Sequence, residues 1–315
     1  MLPDGLRLET WFPAHMFSGM KQMQAKLRSV DCVVEVHDAR IPFTGRNSQF
    51  NRLLFRGRPH LLFLNKTDLA GTMHQQKVAE RLADSGTAHE VVFGSFKGAD
   101  KRRTSHVLMH HLRRTFEGKM RFHREGLTEY NVLLVGIPNV GKSSAINALR
   151  ECFTDLNANA CRVGRKPGIT RSVTSRVRIS ERPLIYMFDT PGVLTPEIYV
   201  DRRIRPDVVL KLGLCECLPD ERIGVEVLAD YLLYLCNRQG RLAYVNELQL
   251  ENDCDDIGHV LRHLAEKHEL RRRVTLYGKA QTFLDTDLAA MKFLELFRRG
   301  RLGDQFLDLD ILAQK

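Results

Sequence analysis

The chain has 315 residues, 43% of them hydrophobic and 27% charged, which suits about two globular domains with a substantial apolar core. Forty-eight basic against 38 acidic side chains leave a net charge of +10, so an anionic partner such as nucleic acid or a membrane surface is expected. No apolar run approaches the roughly eighteen residues of a membrane-spanning helix, and seven irregularly spaced cysteines exclude a disulfide-built secreted fold and fit a reducing compartment.

Residues 1–10 read neither as a signal peptide nor as a good mitochondrial presequence, because Arg7 is their one basic side chain, beside Asp4 and Glu9. Short apolar, β-branched runs predict strands at residues 32–37, 61–64, 91–93, 131–135, 172–179 and 184–188. Between them, helical spacing appears at residues 75–83, with Val78, Ala79 and Leu82 on one face, and at 104–116, with Val107, Leu108, Leu112 and Phe116 inward. The alternation predicts an α/β domain over residues 1–204, a mostly parallel six-stranded sheet flanked by helices. Beyond it, amphipathic helices are predicted at residues 223–236, 257–269 and 287–299, the last with an Asp cap and Gly300 just past its end. Residues 243–245 are the one strand candidate there, so residues 205–315 are expected to form a small all-α domain packed on the first.

The charge is unevenly placed. Residues 1–200 carry 30 basic and 18 acidic side chains, residues 201–315 carry 18 and 20. Two segments hold the N-terminal excess: 101–125, with eight basic and two acidic residues, and 162–182, with seven and one. One such run is ordinarily a solvated face. Two beside a nucleotide site favour contact with a phosphate backbone.

That site is written in three motifs. Gly136-Ile137-Pro138-Asn139-Val140-Gly141-Lys142-Ser143 matches G-x-x-x-x-G-K-[ST], between a predicted strand and a helix that begins near Ser144. Its backbone N–H groups cradle phosphates, Lys142 reaches the β- and γ-phosphates, and Ser143 ligates Mg²⁺. Asp189-Thr190-Pro191-Gly192 ends a strand, where the Asp189 carboxylate holds Mg²⁺ through water and the Gly192 N–H senses the γ-phosphate. Thr170, in Pro167-Gly168-Ile169-Thr170, is the candidate to complete the metal shell. Asn65-Lys66-Thr67-Asp68 follows the strand at 61–64 and selects guanine. Asp68 accepts from N1–H and the N2 amine, Lys66 lays its stem along the base, and Asn65 braces the loop. A second base contact is expected from Ser95-Phe96-Lys97. NKTD argues against an ATP-using enzyme.

The guanine motif precedes the phosphate loop, the reverse of the usual order. Both must meet one nucleotide, so the fold is expected to be circularly permuted, with the chain after Val193 feeding into the helical domain. Nucleotide state should then bias that domain.

The combination resembles the circularly permuted ribosome-assembly GTPases of the YlqF/RbgA type, most closely their mitochondrial branch. The resemblance rests on Trp11-Phe12-Pro13-Ala14-His15-Met16, Asp38-Ala39-Arg40-Ile41-Pro42, NKTD, GIPNVGKSS, PGITR, DTPGVL and Phe297-Arg298-Arg299-Gly300. It implies GTP/GDP with Mg²⁺, a mitochondrial matrix location, and a precursor of the large ribosomal subunit with its rRNA as partner, other assembly factors aside. A monomer is expected off the ribosome. Val193 and Leu194 stand where a water-orienting Gln would follow DxxG, so hydrolysis is expected to be slow alone. The resemblance implies two sources of help: a potassium ion at Asn139 and His15 as the catalytic group. Ala14 stands where that family usually has Gly, a strain if the position needs φ > 0. An RNA-binding scaffold gated by GTP, its hydrolysis incidental, is the alternative. Asp38 and Arg40 read as a salt bridge at the sheet edge, and Cys215 and Cys217 as packing residues rather than zinc ligands, for want of a second pair.

Overall fold

The computed structural model describes residues 14–47, 50, 54, 58–84, 86, 90–117, 126–155, 161, 176–194, 206–276 and 279–314. Helix α1 (Ala14–Lys26) leads into β1 (Cys32–Asp38), followed by β2 (His60–Asn65), α2 (Thr67–Ala70), α3 (Gln75–Asp84), β3 (Val91–Phe93) and α4 (Asp100–Phe116). The phosphate-loop strand β4 (Glu129–Val135) and helix α5 (Lys142–Phe153) come next, then β5 (Arg176–Glu181) and β6 (Leu184–Phe188). The strands form one sheet in the order β3-β2-β1-β4-β6-β5, parallel except for β5.

The reason for parallel pairing is legible in β1 and β2. Every residue of both is buried, as a sheet covered by helices on both faces requires. Register then fixes the site. Asp38 pairs with Asn65, and Gly136 and Asp189 follow the ends of β4 and β6, so all motifs gather at the carboxyl edge of the sheet. The guanine strand β2 lies two places from the phosphate-loop strand although it comes first in sequence. The permuted connectivity is therefore physical.

Beyond residue 205 lie α6 (Pro206–Leu214), α7 (Asp220–Ile223), α8 (Val225–Arg238), α9 (Ala243–Leu248), α10 (Ile257–Lys267), α11 (Thr286–Arg298) and α12 (Leu309–Leu312). Gly224, at φ 97°, separates α7 from α8, so the helix expected from Ile223 begins two residues later. The strand candidate at 243–245 is helical, with Tyr244 wholly buried against Phe293. The helices are joined by one antiparallel pair, β7 (Arg271–Leu276) and β8 (Lys279–Leu284), which departs from an all-α expectation. Its arginine run and exposed positions show no apolar alternation, so periodicity is silent there. One apolar core runs from Met20 through the sheet to Leu307, without a break between the two halves.

Strand β1 also carries polar residues that an apolar reading misses. Glu35 is fully buried and accepts from His37 (2.7 Å), His60 (3.0 Å) and Arg46 (3.0 Å). Burial opposes its charge, and these three partners outweigh it and hold the carboxyl far below the usual range.

Candidate functional site

Helix α5 follows its N-cap Gly141, whose left-handed φ of 98° ends the phosphate loop. Glycine is required there twice over. A Cβ would lie 2.2 Å from Asn65 Nδ2, and that amide donates to the Val140 carbonyl at 2.8 Å. Asn65 Oδ1 accepts from the Phe96 N–H at 3.3 Å. One side chain thus ties the phosphate loop to both base loops. Val140 gives this carbonyl to Asn65, and its side chain is wholly inside the core.

The base end is equally fixed. Ser95 Oγ donates to Asp68 at 2.7 Å, and the Lys97 N–H donates to the same hydroxyl at 3.2 Å. Lys66 has φ 64° and its ammonium lies 2.9 Å from Asp38. Phe96 packs on Phe63 with ring centroids 5.0 Å apart.

At the phosphate end, Lys142 Nζ donates to the carbonyls of Gly136 (3.2 Å) and Ile137 (2.9 Å). Burial lowers its ammonium to about 8 against the pull of Asp189. Ser143 Oγ donates to Asp189 Oδ2 at 2.8 Å, while Asp189 Oδ1 is buried with no hydrogen-bond partner among the described residues. Burial pushes the Asp189 carboxyl up, opposed first by the Ser143 hydroxyl and then by Lys142. A hydroxyl beside an unsatisfied buried carboxylate oxygen is a donor set that fits a hard cation such as Mg²⁺. Gly192 crosses so close to the phosphate loop that a Cβ would lie 2.5 Å from the Pro138 nitrogen.

These residues line one cleft of about 790 Å³: Asn65, Lys66, Asp68, Ser95, Phe96, Lys97, Asn139, Gly141, Lys142, Ser143, Ser144 and Gly192 all face it. Asp189 stands behind Ser143, 2% exposed. Thr170 lies outside the described residues, as do residues 162–175 of the second basic segment and the side chain of His15. Ala14 is the first residue of α1. Gly19 of the same helix approaches the DTPG turn closely enough that a Cβ would lie 2.7 Å from Pro191 Cγ. Val193 and Leu194 are 1% exposed, and Val193 is pinned through its N–H to Gly136 and its carbonyl to Asn47. Neither can orient water.

Sequence reasoning missed the opposite wall. Leu288, Met291, Lys292 and Glu295 on α11, and Arg299 just past its end, line the same cleft. Arg298 locks that helix in place, with Nη1 and Nη2 both donating to Asp220 at 2.7 Å and further bonds to the Gly213 and Leu214 carbonyls. Asn139 joins this wall too, donating to the Glu216 carbonyl at 2.8 Å. The one signal available in sequence was the Phe297-Arg298-Arg299-Gly300 run.

Asp38 and Arg40 are not a sheet-edge brace. β1 is an interior strand, and Arg40 is 1% exposed. Its guanidinium holds Asp38 at 2.7 Å, donates to Gln305 at 3.2 Å and covers the Phe297 ring at 5.6 Å. The Asp38–Arg40 pair therefore joins Lys66 of the guanine loop to the C-terminal segment. Cys215 and Cys217 are buried beside it, and burial pushes the Cys217 thiol up to about 12.

Comparison with known proteins agrees with this geometry. Residues 131–276 match the family model described as 50S ribosome-binding GTPase, starting on the phosphate-loop strand. Mitochondrial ribosome-associated GTPase 1 of Mus musculus is 45% identical over 98% of this chain and 93% of its own length. The chain belongs to the mitochondrial ribosome-associated GTPases. The Bos taurus member is 42% identical over 98% of this chain and 91% of its own. GDP-bound YlqF of T. maritima shares the fold, with a TM-score of 0.53 over 90% of this chain and 96% of that one at 23% identity.

Proposed function

We propose that this family member binds GTP with Mg²⁺ and hydrolyses it in the mitochondrial matrix as an assembly factor of the large ribosomal subunit, gripping rRNA according to the nucleotide bound. The observation that carries the RNA part is α4. Arg102, Arg103, His106, His110, Arg113 and Arg114 form its exposed face. The buried face is fastened to the nucleotide site, because the Ser95 N–H donates to Thr104 Oγ1 at 3.0 Å. Lys101 is paired with Glu151, and His106 packs on Phe153, both on the phosphate-loop helix. A basic face tied to both ends of the nucleotide is suited to sense it.

Charge reversal at Arg102 and Arg103 is expected to weaken binding to large subunits and to lower the log–log salt slope by about 1.5–2, from two lost phosphate contacts. Arg176 and Arg178 behave differently. Arg176 pairs with Glu129 and stacks 3.6 Å over Tyr186, and Arg178 lies 3.6 Å from Glu181. Reversing these two should leave the slope unchanged. An unaltered slope in the Arg102/Arg103 variant would return α4 to solvated surface.

In the reaction, Ser143 and Asp189, with Thr170 as the expected third group, would hold Mg²⁺, which neutralises phosphate charge when bound. Lys142 leaves its two carbonyls for the β- and γ-phosphates. The Asn139 amide, fixed by Glu216, offers a hard oxygen to K⁺. With no water-orienting group at residues 193–194, the general base is assigned to His15, on the helix that packs against Pro191. His15→Ala should leave nucleotide affinity unchanged and remove about 100-fold of the turnover stimulated by large subunits. Stimulation that survives intact would remove His15 from the mechanism and favour the gated scaffold.

A further inference from the structure

The second half of the chain is slightly acidic overall, yet residues 267–284 hold five basic side chains and one acidic one. They centre on the β7–β8 ribbon. Arg271, Arg272, Arg273 and Thr275 of β7 are exposed, as are Ala280, Gln281, Thr282 and Phe283 of β8, the last at 42%. A two-stranded ribbon with most of its described side chains exposed gains little from its own burial, so packing does not explain its arginines. Register places Arg271 and Arg273 on one face, opposite Leu284 and Thr282, and sets Arg272 beside Phe283 on the other. The side chains of Arg271 and Arg273 make no ion pair or hydrogen bond among the described residues, and Arg272 touches only Asp287, at 3.4 Å.

The base of the ribbon is rigid. The Asp285 N–H donates to the Leu270 carbonyl at 2.9 Å, and the Asp285 carboxylate caps α11 at the Leu288 N–H, 2.9 Å. β8 therefore runs almost directly into the helix that walls the nucleotide cleft.

We propose that the β7–β8 ribbon is a second RNA-binding element, entering between two backbone segments of a folded RNA. Arginines on its opposite faces meet phosphates on either side, and Phe283 stacks on an unpaired base. This rests on the RNA-binding reading of the family member given above. Arginine on both faces suits a partner with anionic groups on both sides. A membrane surface presents charge on one side only, and Phe283 with half-buried Val274 offers little to a protein interface. Ribbon and cleft wall are one continuous piece, so RNA held by the first and nucleotide held by the second bias each other.

The test uses the full chain and an in vitro transcript of the large-subunit rRNA, titrated at several KCl concentrations. Arg271→Glu with Arg273→Glu is expected to weaken binding at least tenfold and lower the salt slope by about 1.5–2. Phe283→Ala should weaken binding about fivefold or more with the slope unchanged. Binding of a non-hydrolysable GTP analogue should be unaffected in both. If the charge reversals lower the melting temperature, Arg271→Gln with Arg273→Gln is scored on the same slope. Full RNA affinity in the ribbon variants, while Arg102/Arg103 reversal abolishes it, overturns the ribbon and leaves the broader reading standing. No RNA binding by the unaltered chain overturns both. A photoreactive group at Thr282 that crosslinks in large subunits to protein alone also overturns the ribbon.

Discussion

Lys142→Met is expected to cut GTP turnover by about 100-fold or more, as loss of a preorganised charge on the transferring phosphate does, while the nucleotide-free protein melts no lower than before. The two halves have one cause. Lys142 is 7% exposed, and among the described residues its ammonium donates to the carbonyls of Gly136 and Ile137. Burial lowers it to about 8, so the charged form is held at a cost. Phosphate oxygens repay that cost when nucleotide binds. Methionine fills the same channel without a charge to desolvate. Thermal melting of the empty protein, beside single-turnover hydrolysis, checks both halves. A melting temperature several degrees lower in the variant would make Lys142 a structural residue of the loop rather than one poised for phosphate.

Arg40→Met is expected to cost about 3–5 kcal/mol of folding stability, the usual penalty for leaving a buried partner uncompensated. Asp38 would keep only Lys66 as a countercharge, and Gln305 would lose the donor on its carbonyl oxygen. Because Asp38 positions Lys66, affinity for guanine nucleotide should fall with stability, and the salt dependence of RNA binding should not change. Denaturant unfolding and nucleotide titration measure the two effects. A loss below about 1 kcal/mol, as for a surface pair, would mean the C-terminal segment is not held through Arg40. The pair also sets an acid limit. Arg40 and Lys66 overcome the burial penalty and hold Asp38 well below the usual carboxylate range, as His37, His60 and Arg46 do for Glu35. A lowered folded pKa gives stability that is present above the unfolded value near 4 and is lost as pH falls toward the folded one. Stability should therefore drop steeply below pH 4, and less steeply once Arg40 is gone.

The nucleotide site was readable because its parts are local. Gly141, Lys142 and Ser143 are neighbours on one turn, NKTD occupies four successive residues, and each needs only the strand before it to be correctly aimed. The six strands were readable for a similar reason, since continuous apolar runs such as Leu61 to Leu64 have few alternatives to a buried sheet. Even the permutation followed from order alone, because motifs that share one nucleotide must meet.

What closes the site was not readable. Arg40 meets Gln305, Asn139 meets Glu216 and α11 lines the same cleft as Lys66, arrangements of residues far apart in sequence that no spacing encodes. The sequence made Asp38 and Arg40 visible as a pair, but only the tertiary structure placed them in an interior strand, holding the guanine loop to the C-terminal segment. It likewise resolved the charge. Composition set the +10 and its two N-terminal segments, whereas packing decided that Arg176 and Arg178 meet Glu129, Tyr186 and Glu181 while Arg102 and Arg103 on α4 and Arg271 and Arg273 on the ribbon are exposed. Identity and local conformation are set by covalent neighbours. Which charge is neutralised depends on what the fold brings within a few ångströms of it.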